Sequence, residues 1–197
     1  RFSHKTFAVD HAIKNYDVDY ILWLDADTYT FRSITKEFVI NLLPQDKLVN
    51  FLGRGQTYPE SGWVCYNRRH PKIAEFMKTW TDLYNKDTIF NEMEWHDSYL
   101  FWQIVQRVAP QEGVDIGKGA GAKGHHVFIN SVLGEYIDHM KGKRKIKGKS
   151  SRSDLRTQRN EKYWQNVENY NPFGGIKFDP KQAHDIISKV AKGKTGN

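Results

Sequence analysis

The apolar run Ile21-Leu22-Trp23-Leu24 stops abruptly at Asp25-Ala26-Asp27. No other junction constrains the fold of this chain as much. A short apolar run bounded by polar residues reads as a buried strand. In an extended D-x-D the side chains alternate, so Asp25 and Asp27 point the same way, with Cβ atoms roughly 6 to 7 Å apart, about two strand rises. Two carboxylates placed together at the end of an apolar strand repel one another and lose hydration. A hard cation between them offsets both costs, and Mg²⁺ and Mn²⁺ favour one or two carboxylates plus substrate phosphates. The plainer reading is a polar turn in which Asp27 bonds its own backbone. The triplet alone leaves both open.

Around this junction the pattern alternates between strands and helices. Residues 3–16 read as a helix with Phe7, Ala8, Ala12 and Ile13 on one face. Residues 19–24 form the strand. A helix follows over 33–43 with Ser33 as N-cap and Glu37 in its early turns. Residues 48–52 and 63–66 are further strands, separated by a glycine-rich loop over 53–62. The clearest helix spans 70–84, with Pro71 in its first turn and Ile73, Phe76, Met77, Trp80 and Leu83 at helical spacing. Another spans about 97–108, with Asp97 as its expected cap. The five glycines of 113–124 exclude regular structure there. Residues 127–129 are the next candidate strand. Beyond Lys141 the chain reads as loosely ordered, with a docking helix over about 180–191. The alternation predicts an α/β sheet with ligands at the carboxyl ends of its strands.

A chain of 197 residues suffices for one domain with a core and a small appendage. It begins at Arg1, without Met and directly in apparent structure, so a preceding N-terminal portion is the expectation. The net charge of +7 is concentrated: residues 141–162 carry ten Lys/Arg against two acidic residues, a net +8, which leaves −1 for the rest. This is a basic segment on a near-neutral domain, and such a segment attracts phosphates. Cys65 is the one cysteine, which excludes an intrachain disulfide framework. No window resembles a membrane span or a signal peptide. The expected location is cytoplasmic, with a peripheral membrane contact left open.

Three further stretches carry chemistry. In Glu135–Lys145, His139 offers an imidazole, Gly142 permits close backbone approach, and Lys143, Arg144 and Lys145 follow. A metal-binding histidine beside diphosphate-binding lysines is coherent chemistry, although a surface basic run with an incidental histidine is the plainer reading. In Glu94–Tyr99, Trp95 suits a sugar face and Asp97 suits a hydroxyl or a helix cap. The 53–62 loop mixes Arg54, Gln56, Tyr58, Glu60 and Ser61 with glycines.

Taken together, ILWLDADTY, SGWVCYN (61–67) and HMKGKRK (139–145) resemble the GT-A type of glycosyltransferase, and within it the retaining, glycogenin-like and galactosyltransferase-like members. The resemblance implies a Rossmann-like nucleotide-diphospho-sugar transferase fold over residues 1–145, lacking its N-terminal strand or strands. Residues 146–197 would then be a basic segment and helix packing on or beside it. The resemblance further implies that Asp25, Asp27 and His139 hold Mn²⁺ or Mg²⁺, with Asp27 the direct ligand, and that Gly142, Lys143 and Lys145 meet the diphosphate. Arg1 and Lys5 approach the nucleotide, and Asp97 faces the sugar or acceptor. Asp97 and Lys145 are accordingly the catalytic candidates. The partners implied are a nucleotide sugar and a hydroxyl acceptor, with no nucleic acid. The pattern departs where the N-terminal strand and glycine-containing nucleotide loop are absent, and where Ile146-Lys147 replaces an expected aromatic residue. Competing readings are a metal-dependent nucleotidyl or phosphoryl transferase, a basic nucleic-acid-binding module, and an inactive glycan-binding relative.

Overall fold

The structure is a computed structural model that describes residues 2–55, 57–118, 120, 126–142 and 144–165. The expected helix over 180–191 lies outside the described residues.

Helix α1 (Ser3–Asn15) leads into strand β1 (Tyr20–Leu24). Strand β2 (Thr28–Thr30) and helix α2 (Lys36–Asn41) follow, then strands β3 (Val49–Leu52) and β4 (Glu60–Asn67). Helices α3 (Ile73–Asn85) and α4 (Asp97–Val108) precede strand β5 (Gly113–Asp115) and the short helix α5 (Val127–Asn130). Strand β6 (Ile137–His139) and the single-turn helices α6 (Arg144–Lys147) and α7 (Lys162–Gln165) complete the described chain.

The main sheet has the order β1-β4-β3-β5. Strand β4 is antiparallel to both β1 and β3, and β5 is parallel to β3. Strands β1, β3 and β5 therefore run one way and β4 runs back between them. The carboxyl ends of three strands and the amino end of the fourth meet at one edge, with Leu24 opposite Trp63 and Leu52 opposite Glu60. All eight residues of β4 are buried. Alternation sends Val64 and Tyr66 to the core beneath α1, α3 and α4, and Trp63 to a second core with Phe128, Leu133, Ile137 and Trp164. Cys65 sits buried between its neighbours, and burial pushes its thiol up to about 12, so it acts as packing.

Several expectations shift for local reasons. Helix α1 buries Lys5, Thr6, Val9 and Ile13, whereas Phe7 is exposed. The helix is rotated from the face expected because Lys5 finds acceptors at the sheet edge. Thr35, not Ser33, caps α2, its hydroxyl accepting from the Phe38 backbone N–H. Pro71 precedes α3 rather than opening it. Glu60 to Gly62 extend β4 into the expected loop, because β3 supplies a partner for Glu60. Gly113 to Asp115 form β5 despite the glycines, since β3 offers an unpaired edge. Residues 127–130 are helical rather than a strand.

The segment beyond Lys141 is docked where described. The Tyr163 ring stacks on Phe31 at 4.1 Å with 2° between planes, and Trp164 donates from Nε1 to the Gly134 carbonyl at 2.7 Å. Tyr163 donates its hydroxyl hydrogen to the buried Asp138 Oδ2 at 2.7 Å. Arg144 grips Asp154 through two nitrogens, and Asp154 also accepts from the Ser151 N–H and hydroxyl, both at 2.8 Å. The hydrogen bond from Arg144 holds the Asp154 carboxyl well below the usual carboxylate range. A carboxyl depressed in the folded state stabilises above its unfolded pKa of about 3.9 and loses that stabilisation as the pH falls. Asp154→Asn is therefore expected to narrow the gap between urea midpoints at pH 7 and pH 3. An unchanged gap would rule the clamp out as a source of acid sensitivity.

Candidate active site

The site lies at the sheet edge where β1 ends and β4 begins. The Asp25 N–H donates to the Gly62 carbonyl at 2.9 Å, which prolongs the β1–β4 pairing into the acidic triplet. The chain then turns, with the Thr28 N–H donating to the Asp25 carbonyl at 3.2 Å, and enters β2. Strand β2 pairs antiparallel with β6 so that Thr28 lies opposite His139. That register delivers an imidazole from 112 residues away, and His139 Nε2 stands 3.1 Å from Asp27 Oδ1 and 4.0 Å from Asp25 Oδ2. One ligand atom from each of Asp25, Asp27 and His139 falls within 4.8 Å of the others.

Two oxygens and one imidazole nitrogen are a donor set suited to a divalent cation. The surroundings hold the imidazole in place. His139 is fully buried, with its ring packed 4.8 Å from Phe128 and 5.4 Å from His126, and its Nδ1 finds no partner among the described residues. His126 donates from Nε2 to the His139 carbonyl at 2.6 Å, which ties the backbone as well as the ring. Gly62 makes room for the imidazole: a Cβ there would lie 2.8 Å from His139 Cε1 and 3.4 Å from Asp25 Oδ2. The glycine of SGWVCYN thus has a steric reason. Gly142 has a conformational one instead. Its φ is +66° with nothing within 4 Å of a Cβ position, so the left-handed turn favours glycine there.

Lysines interleave with these carboxylates. Lys145 Nζ lies 3.0 Å from Asp27 Oδ2. Burial works against the Asp27 charge, but the bond from Lys145 and the charges of His139 and Lys145 outweigh it and hold the carboxyl below its ordinary range. From the other side α1 presents Lys5, buried, whose Nζ donates to Asp97 Oδ2 at 2.5 Å, to Ser61 Oγ at 3.0 Å and to the Ser61 carbonyl at 2.9 Å. The same Nζ is 3.5 Å from Asp25 Oδ1, which also accepts from Trp23 Nε1 at 2.7 Å. Asp97 is therefore not the cap of α4. His96 takes that place, its Nδ1 accepting from the Tyr99 N–H. Burial again opposes the Asp97 charge, and Lys5 and Ser61 overcome it, so its carboxyl is lowered.

The structure thus brings together Lys5, Asp25, Asp27, Asp97, His139 and Lys145. Arg1 and Lys143 lie outside the described residues. Sequence reasoning missed the pair of Glu60 and Lys141, in which Lys141 Nζ donates to both carboxylate oxygens at 3.2 and 2.9 Å. Glu60 is buried at the start of β4, and burial is outweighed there by Lys141, so its carboxyl too is lowered. The signal was present in Glu60 lying two residues before Gly62, but it was read as loop.

A mixed sheet flanked by helices, with an Asp-x-Asp cluster at its strand ends, is an α/β fold consistent with a Rossmann-like GT-A core. Comparison with known proteins agrees. The chain is similar to the crystal structure of a glycosyltransferase involved in the glycosylation of the major capsid of PBCV-1, with a TM-score of 0.50 and 17% identity over 74% of this chain and 73% of that one. A likeness at that identity shows the fold. No family model and no curated protein matches the chain. Among the described residues no helix is long and apolar enough to cross a membrane.

Proposed function

We propose that this chain is a metal-dependent glycosyltransferase, moving a hexose from a nucleotide diphosphate sugar to a hydroxyl acceptor with retention. The observation that carries the proposal is the Asp25, Asp27 and His139 cluster at the strand ends of a GT-A-like sheet, with Lys145 paired to Asp27. A bound Mn²⁺ or Mg²⁺ would supply positive charge against the departing diphosphate. Asp25, Asp27 and His139 would hold it. Lys145, 59% exposed in its side chain, is long enough to leave Asp27 for a phosphate oxygen. Asp97, held charged by Lys5, would orient the sugar or the acceptor through its hydroxyls. In the retaining reaction the acceptor proton passes to the leaving phosphate, so no side chain need act as base. Residues 1–145 would be the catalytic domain and 146–197 the segment that flanks it.

The basic run supports this reading over a nucleic-acid module. Its Lys141, Arg144, Lys145 and Arg159 face Glu60, Asp154, Asp27 and Glu161, respectively. Two of these pairs, Lys141 with Glu60 and Lys145 with Asp27, gather at the candidate active site rather than along a surface stripe that a phosphate backbone could follow.

The test is calorimetric titration of nucleoside diphosphates with and without Mn²⁺. Wild type is expected to release heat that depends on Mn²⁺, and Asp27→Ala is expected to lose it. Equal heat from both proteins would refute the assignment of Asp27.

A further inference from the structure

Large apolar side chains crowd one stretch of the surface just ahead of α4. Phe90 is 64% exposed, Met93 90% and Trp95 54%. Phe90 and Trp95 meet edge to face, with ring centroids 5.5 Å apart. The indole N–H of Trp95 is turned back to the Glu92 carbonyl at 3.2 Å, so the one polar atom of the ring is already engaged. Solvent thus meets apolar ring surface that contributes nothing to the core.

This shelf adjoins the candidate active site. Trp95 and His96 immediately precede Asp97, which reaches Asp25 through Lys5. The His96 ring packs 4.6 Å from Tyr58 and 6.4 Å from Phe2. Polar groups line the same stretch. Glu94 Oε2 lies 2.7 Å from His96 Nε2, and Glu92 pairs with Arg107 at 2.8 Å. Rings bordered by hydroxyl-binding groups suit a sugar, whose C–H face is apolar and whose rim is polar.

We propose that Phe90, Met93 and Trp95 form an acceptor shelf that takes a pyranose ring of a neutral glycan, with the Glu94 carboxylate, oriented by His96, meeting its hydroxyls. The proposal rests on the glycosyltransferase reading above and deepens it by naming the class of acceptor. The shelf is too small for a stable protein interface. At their stated exposures the three side chains offer no more than about 500 Å², against about 800 Å² per partner in a standard interface. The charges favour a neutral glycan, since Glu94 would repel an anionic one, Arg107 is engaged by Glu92, and Arg54 is turned to Tyr58, over its ring and donating from Nε to its carbonyl. The cationic side of the active site, with Lys141 and Lys145, is left to the diphosphate.

Saturation-transfer NMR tests this, with gluco-, galacto- and manno-oligosaccharides as probes. At least one probe is expected to receive saturation from the aromatic protons of the wild-type protein. Trp95→Ala should weaken its binding tenfold or more, and Trp95→Phe should restore most of it. The proposal is overturned if no probe binds wild type, or if Trp95→Ala and Phe90→Ala both bind as wild type does. It is equally overturned if sedimentation shows these substitutions dissolving a dimer, which would make the shelf a contact between copies. The Mn²⁺-dependent nucleotide titration reads the donor site separately. Its absence in wild type counts against the glycosyltransferase reading, and its presence with no glycan binding counts against the shelf alone.

Discussion

Gly62→Ala is expected to weaken divalent-cation binding by about 10- to 100-fold, the range seen when the support of a metal ligand is lost, while the protein still folds. The added methyl would lie 2.8 Å from His139 Cε1 and 3.2 Å from Nδ1, closer than carbon and nitrogen atoms pack. Gly62 is tied to the acidic triplet itself, its carbonyl accepting from the Asp25 N–H at 2.9 Å, so a retreat of the glycine would drag Asp25 with it. His139 is fully buried against Phe128 and His126, so the ring can move only by giving up its place beside Asp25 and Asp27. The global cost of such overpacking is about 1 to 3 kcal/mol, which leaves a domain of ordinary stability folded. Mn²⁺ titration followed by circular dichroism separates the two effects. Wild-type Mn²⁺ affinity in Gly62→Ala would show that the imidazole is not a ligand.

Trp80→Ala is expected to give the largest loss of stability, about 3 to 5 kcal/mol, a large share of the roughly 5 to 15 kcal/mol that holds a domain together. Trp80 is fully buried on α3, with ring centroids 6.0 Å from Phe76 and 5.8 Å from Phe101 of α4. Its Nε1 finds no acceptor among the described residues. The loss is therefore packing and cavity, without a hydrogen bond to add. The exposed Trp95→Ala serves as the control, with an expected change within about 0.5 kcal/mol. Urea unfolding measures both. Similar midpoints for the two variants would mean that Trp80 is not where the core is anchored.

The long helices were legible in the sequence because their burial repeats with the helical period. Ile73, Phe76, Met77, Trp80 and Leu83 all lie in the core as their spacing indicates. The end of β1 at Asp25 was legible because a continuous apolar run meets two charges. The short elements were not. Residues 127–129 carry β-branched and aromatic side chains yet form a helical turn. Residues 137–139 form a strand that nothing in the three residues announces. Over so few residues, propensity is outweighed by whichever partner the rest of the chain supplies. Lys5 shows the same limit within a helix. Period alone placed Phe7 inward, but a lysine is buried where four oxygen acceptors converge on it.

By itself, then, the sequence determined the α/β alternation and the acidic strand end, and it offered a histidine suited to a cation and a lysine suited to a diphosphate. These follow from local periodicity and from the chemistry of side-chain types. The tertiary structure decided that the site is assembled at all. It set the β2–β6 register that carries His139 to Asp27, the glycine gap that admits the ring, and the buried Lys5 that links Asp97 to Asp25. Those outcomes depend on pairings between distant segments, and pairing energy is not a property of either segment alone.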